Sequence, residues 1–547
     1  MTTAEHAQHE AHRHGHDHSS GPTMERRCDV AVIGASAAGL AAALQLARQR
    51  RTVIAVDDGT PRNAPAAHMH GYLGREAAAP SELLAVGREE VRGYGGEILT
   101  GRVLAVRPGE DGRFRVELSG GHTLLARRVL AATGIRDDLP DIEGLAPRWG
   151  QDVIHCPFCH GYEVRDQRLV QIVTHPMGLH PTALLRHLTD RLTVVLHEVT
   201  GGDEAALTAL EAAGVPVVRT GVRRVVTGSD GAVTGVELVD GARLEADAVL
   251  VGTRFHARVE ALAPLGIEAS AHPTGLGEVL QVDPVTGETA VPGVYGAGNL
   301  TDPSLQVLPS AAHGGRIGAM IAFSLADEDL RSAQRTAGEE GDWDARYGTG
   351  ERMWSGNPNG TLVAEVRGMP PGRALDVGAG EGGDSLWLAE QGWDVTAADI
   401  SGAALEHVGT EAERRGLAVS LLHRDVNAPD AVGGATYDLV SLQYGSFLRT
   451  PEQRGLRTVL GAVAPGGTLL VVGHDLSPMR EPVDPAEQTR MFDPEAYVGV
   501  EEVAAALATQ DGWTVQVHET RPRPSGAVST HHVDDVVLRA VRAAATP

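Results

Sequence analysis

Two stretches decide the fold: Asp29-Val30-Ala31-Val32-Ile33-Gly34-Ala35-Ser36-Ala37-Ala38-Gly39 and, far downstream, Leu375-Asp376-Val377-Gly378-Ala379-Gly380-Glu381-Gly382-Gly383. Each is a short apolar run that ends in a glycine loop and opens a helix. Around the first, the Ala- and Leu-rich run Ala37 to Arg48 predicts a helix and Thr52 to Val56 a second strand. Around the second, Val395 to Ala398, Tyr437 to Leu442 and Thr468 to Val472 predict further strands. Strand and helix alternation of this kind predicts an α/β fold with parallel, doubly wound sheets. The two loops and their surroundings differ, so they are not repeats of one unit.

The first loop matches G-x-G-x-x-G except that Ser36 stands at the middle glycine. That pattern gives a tight turn and lets the backbone approach a pyrophosphate at a helix N-terminus. Asp57, at the end of the next strand, is placed to hold a ribose hydroxyl. Gly34, Ser36, Gly39 and Asp57 are therefore the candidate dinucleotide residues. In the second loop the acidic Asp376 and Glu381 suit a cationic ligand better than a pyrophosphate. Asp399 ends the strand after that loop, and Asp425 follows His423-Arg424.

Cys156-Pro157-Phe158-Cys159-His160-Gly161-Tyr162-Glu163 carries the redox chemistry. In an α/β chain of reducing surroundings, C-x-x-C reads as a redox dithiol. Half a zinc site, completed by His155 and His160, is the alternative. Thiol–disulfide exchange needs a thiolate, and His160 is the candidate acid/base because imidazole titrates near neutral pH. His155 is a weaker candidate. The remaining cysteine, Cys28, reads as a buried structural residue. No metal-binding set is assigned.

Distant motifs place these residues beside known families. Val129-Leu130-Ala131-Ala132-Thr133-Gly134 resembles the A-T-G turn of FAD-dependent disulfide reductases, and Gly293-Val294-Tyr295-Gly296-Ala297-Gly298-Asn299 resembles their second FAD motif, with Asn299 where Asp is usual. Residues 28–326 look like the low-molecular-weight thioredoxin reductase family. The C-x-x-C-H-G-Y-E form resembles the dithiol oxidases that close disulfides in small natural products such as gliotoxin and holomycin. The resemblance implies FAD held by Thr133, Gly134, Gly298 and Asn299 as well as the first loop. It also implies Cys159 facing the flavin, Cys156 exchanging with substrate, and a homodimer. Residues 343–547 resemble class I methyltransferases using S-adenosylmethionine. Asp376, Gly378, Gly380, Gly382 and Asp399 would then hold the cofactor, with Asp425 at its adenine amino group. The aromatic segments around Trp343 and Trp354 resemble the lid of small methyltransferases that act on tellurite or thiols.

One departure matters. After the strand Leu169 to Val173 a reductase of this family opens a second glycine loop for NADPH. Here the chain reads Thr174-His175-Pro176-Met177-Gly178-Leu179-His180-Pro181. No G-x-G-x-x-G is present, and Pro176 removes a backbone donor. NADPH dependence is thereby placed in doubt, and another acceptor such as oxygen is favoured. An NADPH-dependent reductase and a flavin redox sensor gating methyl transfer remain the alternatives.

Composition bounds the rest. At about 150 residues per domain, 547 residues predict three or four domains. Lys plus Arg number 47 against 72 Asp plus Glu, a formal charge of −25, which argues against nucleic acid and against an anionic membrane surface. No apolar run reaches the roughly 20 residues a membrane helix needs. Three cysteines and no signal peptide predict a reducing cytoplasm. The expected organisation is a disordered His-rich tail over 1–25 and FAD-domain parts at 26–147 and 255–326 around a middle nucleotide-type domain at 148–254. A linker at 327–341 and a methyltransferase domain at 342–547 complete it. The expected partner is a small thiol or disulfide, or a thioredoxin-like protein.

Overall fold

The computed structural model describes residues 23–109, 112–199, 204–332, 339–348, 353–524 and 534–544. Most of the His-rich tail, and residues 333–338 of the expected linker, lie outside these. The strand Glu25–Ile33 starts the fold and pairs in parallel with Val53–Asp57 on one side and Thr123–Ala131 on the other. It is buried along almost its whole length, which explains the unbroken apolar run Val30 to Ile33. The sheet continues through Glu97–Thr100 at one edge, and at the other the hairpin of Val103–Pro108 and Phe114–Leu118 runs antiparallel. Val294–Gly296, from much later in the chain, also pairs with Thr123–Ala131. The first unit is thus closed by residues from both sides of an inserted domain, as the split reading expects.

The inserted domain has its own five-stranded sheet, centred on Leu169–Val173, and a three-stranded antiparallel sheet. Two crossing strands, Ile135–Asp138 and Arg254–Ala257, join it to the first unit. Ile142 and Leu145 pack into the inserted domain's core with Val153 and Val170. The crossover therefore comes a few residues before the expected boundary at 147. The expected linker also needs correction. Helix Val307–Ser332 runs through its first six residues, and helix Glu339–Tyr347 contains its last three. The first helix continues because Arg51, Arg127 and Arg128 pair with Glu328 and Asp329 across the sheet, so residues that read as polar spacer are tied down.

The C-terminal unit is a seven-stranded sheet. Its strands stand in the order Val419–His423, Asp394–Asp399, Arg373–Val377, Tyr437–Gln443, Val463–His474, Asp534–Arg542 and Trp513–Pro522. The first five are parallel; Asp534–Arg542 pairs antiparallel with both of its neighbours. Strand order reverses between Arg373–Val377 and Tyr437–Gln443. In doubly wound sheets the ligand crevice lies at such a reversal, outside the carboxyl ends of the strands.

The two units are joined by more than a connecting chain. The segment after Val463–His474 crosses the edge of the first sheet. Met491 is buried in the first unit's core beside Leu99 and Val103. Thr489 N–H donates to Ser119 O at 3.1 Å, and Arg490 N–H to Thr100 O at 2.9 Å. Asp493, almost fully buried, accepts from Arg92 Nε at 2.8 Å and Ile98 N at 2.9 Å. Replacing Asp493 by Ala leaves the buried Ile98 amide without its side-chain acceptor and the half-buried Arg92 guanidinium with Glu89 as its remaining carboxylate, a loss of about 2 kcal/mol. Calorimetry of D493A is expected to show the methyltransferase-side transition at lower temperature, with flavin absorbance retained.

Candidate active sites

Two cavities hold nearly all the residues singled out from sequence. The first, of about 970 Å3, is lined by Gly34, Ser36, Asp57, Thr133, Gly134, Cys156, Cys159, His160, Gly298 and Asn299. At its floor the first loop turns as the motif demands. Gly34 N–H donates to Val56 O at 2.8 Å. A Cβ on Gly39 would lie 1.9 Å from Gly34 O, so only glycine allows the helix Ala37–Arg48 to start this close to the strand. Asp57 accepts from Gly59 N at 3.0 Å and Arg88 Nη2 at 2.6 Å. Thr133 Oγ1 donates to Arg258 O at 2.6 Å and ties the two chain segments of the split unit together. Asn299 uses its amide N–H groups on Asp302 O and Leu305 O, so its free contribution to the cavity is the carbonyl oxygen. A helix N-terminus, an acid at the next strand end and an enclosed volume next to a dithiol fit FAD.

The dithiol is oxidised: Cys156 and Cys159 form a disulfide. Cys156 caps the one-turn helix Pro157–His160, its sulfur accepting from Cys159 N at 3.2 Å. Gln306 Nε2 reaches Cys159 Sγ at 3.5 Å, so Cys159 is the sulfur held against the FAD unit. Burial holds His160 below the ordinary imidazole value, opposed by Glu163 and assisted by His70. His160 therefore stands neutral near pH 7, able to accept a proton. His155 behaves differently. It stacks on Trp149 with ring centroids 5.4 Å apart, and burial with the Arg62 guanidinium pushes it down to about 4. It is a neutral packing residue, which removes it as an acid/base group. Cys28 is buried, as expected, and burial raises its thiol. Among the described residues no group of three or more His, Cys, Asp or Glu is placed to hold a metal ion.

Sequence reading missed three residues here. His70 Nδ1 lies 2.7 Å from Glu76 Oε1, its Nε2 3.4 Å from Glu163 Oε1, and its ring stands edge-on to His160. The triplet His68-Met69-His70 was its only signal. Arg88 and Gln306 gave none.

The loop 174–181 lines the same cavity through Met177, Gly178, His180 and Pro181. Three of its backbone donors are used within the turn. Gly178 N–H goes to His175 O, His180 N–H to Met177 O and Met177 N–H to His175 Nδ1. Gln171, wholly buried, clamps the turn by donating to Gly178 O at 2.6 Å and accepting from Thr182 Oγ1 at 2.8 Å. The helix that follows, Thr182–Leu188, has seven residues. Those three amides are turned to acceptors in the turn and not left for a pyrophosphate.

The second cavity, of about 910 Å3, is lined by Gly378, Gly380, Glu381, Asp399 and Asp425. Asp399 straps the glycine loop, accepting from Gly380 N at 2.8 Å and Ser401 N at 2.9 Å. Gly382 has φ +84° and a Cβ there would lie 2.8 Å from Val408; it shapes the turn from behind. Asp376 is a correction. Its side chain is not in the cavity but under the helix Gly383–Glu390, accepting from Ser385 Oγ at 2.6 Å, where burial and Asp384 push its carboxyl up. Strand alternation turns it away from the crevice. Asp384, unremarked in the sequence, lines the cavity instead and accepts from Asn359 N and Nδ2, both at 2.6 Å. Glu381 accepts from Met353 N and Trp354 N, drawing the aromatic lid over the loop. Tyr444 stacks on His474 and donates to Asp535 at 2.7 Å. A cationic ligand suits this acidic, aromatic enclosure.

The profile of the pyridine nucleotide-disulphide oxidoreductase family matches residues 28–315, more than half of the chain. The chain belongs to this family. A methyltransferase-domain profile matches residues 374–467, so the C-terminal unit is a methyltransferase domain. Thioredoxin reductase tcpT of Claviceps purpurea is 30% identical over 313 residues, spanning 55% of this chain and 95% of its own length. Thioredoxin reductase sirT of Leptosphaeria maculans is 31% identical over 324 residues, 56% of this chain and 97% of its own. The crystal structure of HlmI shares 45% identity over 57% of this chain and 97% of that one, with a TM-score of 0.53. An oxidoreductase from Agrobacterium tumefaciens shares 32% over 55% and 99%, with a TM-score of 0.51. The protein is therefore a thioredoxin reductase-like oxidoreductase fused to a methyltransferase, with FAD as the cofactor of the first unit and S-adenosylmethionine of the second. No helix among the described residues is long and apolar enough to cross a membrane.

With His160 as the proton acceptor, flavin reduction by a dithiol is expected to slow as pH falls through a midpoint below the ordinary imidazole value of about 6.5. Stopped-flow traces of His160→Ala should be slower and lack that acid limb. In the second cavity, Asp399→Ala removes two charge-assisted hydrogen bonds, each of about 1.5–3 kcal/mol. Calorimetric titration is expected to show S-adenosylmethionine binding at least about tenfold weaker.

Proposed function

We propose that the N-terminal unit oxidises small dithiols to disulfides, passing the electrons to oxygen and not exchanging them with NADPH, and that the C-terminal unit methylates a thiol. The observation that carries the reading is the 174–181 turn, in which the amides of Met177, Gly178 and His180 take acceptors within the turn itself. A substrate thiolate attacks Cys156 Sγ and breaks the Cys156–Cys159 bond; Cys159 leaves as thiolate, steadied by Gln306. The second substrate thiol attacks the mixed disulfide, releasing the cyclic disulfide and Cys156, while His160 accepts the proton. FAD, when bound, takes up the two electrons left on the enzyme dithiol. Thiol methylation needs little base catalysis, because a small thiolate fraction is present near neutral pH; alignment in the enclosed cavity supplies the rate. The reading carries with it a small-molecule thiol or a thioredoxin-like partner, a homodimer, a cytoplasmic setting, and functional units bounded near residues 26, 332 and 342.

The test is anaerobic flavin absorbance. A small dithiol is expected to bleach it, NADPH to leave it unchanged, and admitted air to restore the colour. Rapid bleaching by NADPH would overturn the oxidase reading and make the first unit a reductase.

A further inference from the structure

The second cavity is not built by the methyltransferase domain alone. Arg26, Thr52, Gly95 and Glu97, all from the first unit, line it together with the glycine loop. They sit at the amino ends of the first sheet's strands, where the segment carrying Met491 and Phe492 is clamped. The Arg26 guanidinium holds Glu97 through two hydrogen bonds, at 2.8 and 2.6 Å, and donates a third to Met491 O at 3.1 Å. Arg27 N–H donates to Asp342 at 2.9 Å, and Asp342 belongs to the helix Glu339–Tyr347. That helix reaches the cofactor loop directly: Asp344 accepts from Ser401 Oγ at 2.5 Å, and the Tyr347 hydroxyl lies over Gly380. At the far side, Gly95 packs on Leu448 and Arg449, and Leu448 O accepts from Asn427, two residues past Asp425.

Burial with the carboxylates of Glu97 and Asp425 pushes Glu339 up to about 8, so a residue of the first unit and the adenine-side candidate act on the same group. Elsewhere in the cavity, Tyr444 stacks on His474 and donates to Asp535, contacts made within the C-terminal unit.

We infer that the first unit closes the nucleoside end of the methyltransferase cavity, so that S-adenosylmethionine occupies a composite site that the C-terminal domain does not complete by itself. The inference rests on the methyltransferase reading of residues 374–467 but adds residues from outside that domain. Arg26 and Glu97 are positioning residues in it: their pair fixes the wall and the Met491–Phe492 segment.

The test is hydrogen–deuterium exchange of the full, FAD-loaded chain with and without S-adenosylhomocysteine. Slowed exchange is expected in peptides covering 24–28 and 94–98 as well as 378–383. Protection confined to residues 353–524 would overturn the composite site while leaving the methyltransferase intact. No binding of S-adenosylhomocysteine at all would overturn the cofactor assignment, and the composite site with it. A second arm replaces both Arg26 and Glu97 by Met, a buried ion pair exchanged for apolar side chains of similar size, which folds commonly tolerate. Flavin absorbance and dithiol oxidation should persist, with S-adenosylhomocysteine affinity about tenfold weaker. Affinity unchanged within about twofold would count against the inference.

Discussion

Parallel pairing of Glu25–Ile33 with strands on both sides is the constraint on which the rest of the molecule is built. Such a strand is buried on both faces and hydrogen-bonded at both edges, so its two ends are fixed relative to each other by covalent geometry and not by loops. The carboxyl end delivers Gly34 to the dinucleotide loop; the amino end delivers Arg26 to the clamp on Glu97 and Met491. A charge pair as enclosed as Arg26–Glu97 adds little to stability by itself, because desolvation offsets most of the attraction. Its geometry nonetheless defines which residues meet at the junction.

The glycine loops and their following acids were readable because their chemistry is local. A strand, a turn with a glycine of required conformation and a helix lie within some fifteen residues, and Asp57 and Asp399 sit one strand further on. The dithiol was readable for the same reason. Asp376 shows where this fails. Its position beside the loop suggested a ligand contact, yet alternation along a strand decides which face a side chain takes, and Ser385 together with a buried pocket claims it. His70 and Gln306 approach the first cavity from distant loops and Arg88 from the helix Pro80–Gly93, so no spacing announces them. The junction was illegible for a further reason. The stretch before Phe492, with three prolines among charged residues, has the composition of a solvated loop, and only tertiary contact shows Met491 and Thr489 to be buried.

The inserted domain keeps the architecture of a nucleotide fold while its first strand–helix turn departs from the glycine pattern. Its parallel sheet and strand–turn–helix opening persist. What differs is where the backbone donors point. A one-turn helix started by Pro176 and clamped by Gln171 turns them inward, where they satisfy neighbours in the same turn.

The strand that joins the two cavities also separates them. From Arg26 to Ile33 it rises about 3.3 Å per residue, roughly 23 Å in all, with packed core on both faces. Under the proposed function, a thiol that left one cavity for the other would travel around the outside of the molecule, through bulk water. During that transit it is open to capture by dissolved oxygen, by metal ions and by any other thiol in the medium. Under the proposed function, a thiol that serves both units would be partitioned between disulfide and thioether in part by the surrounding solution.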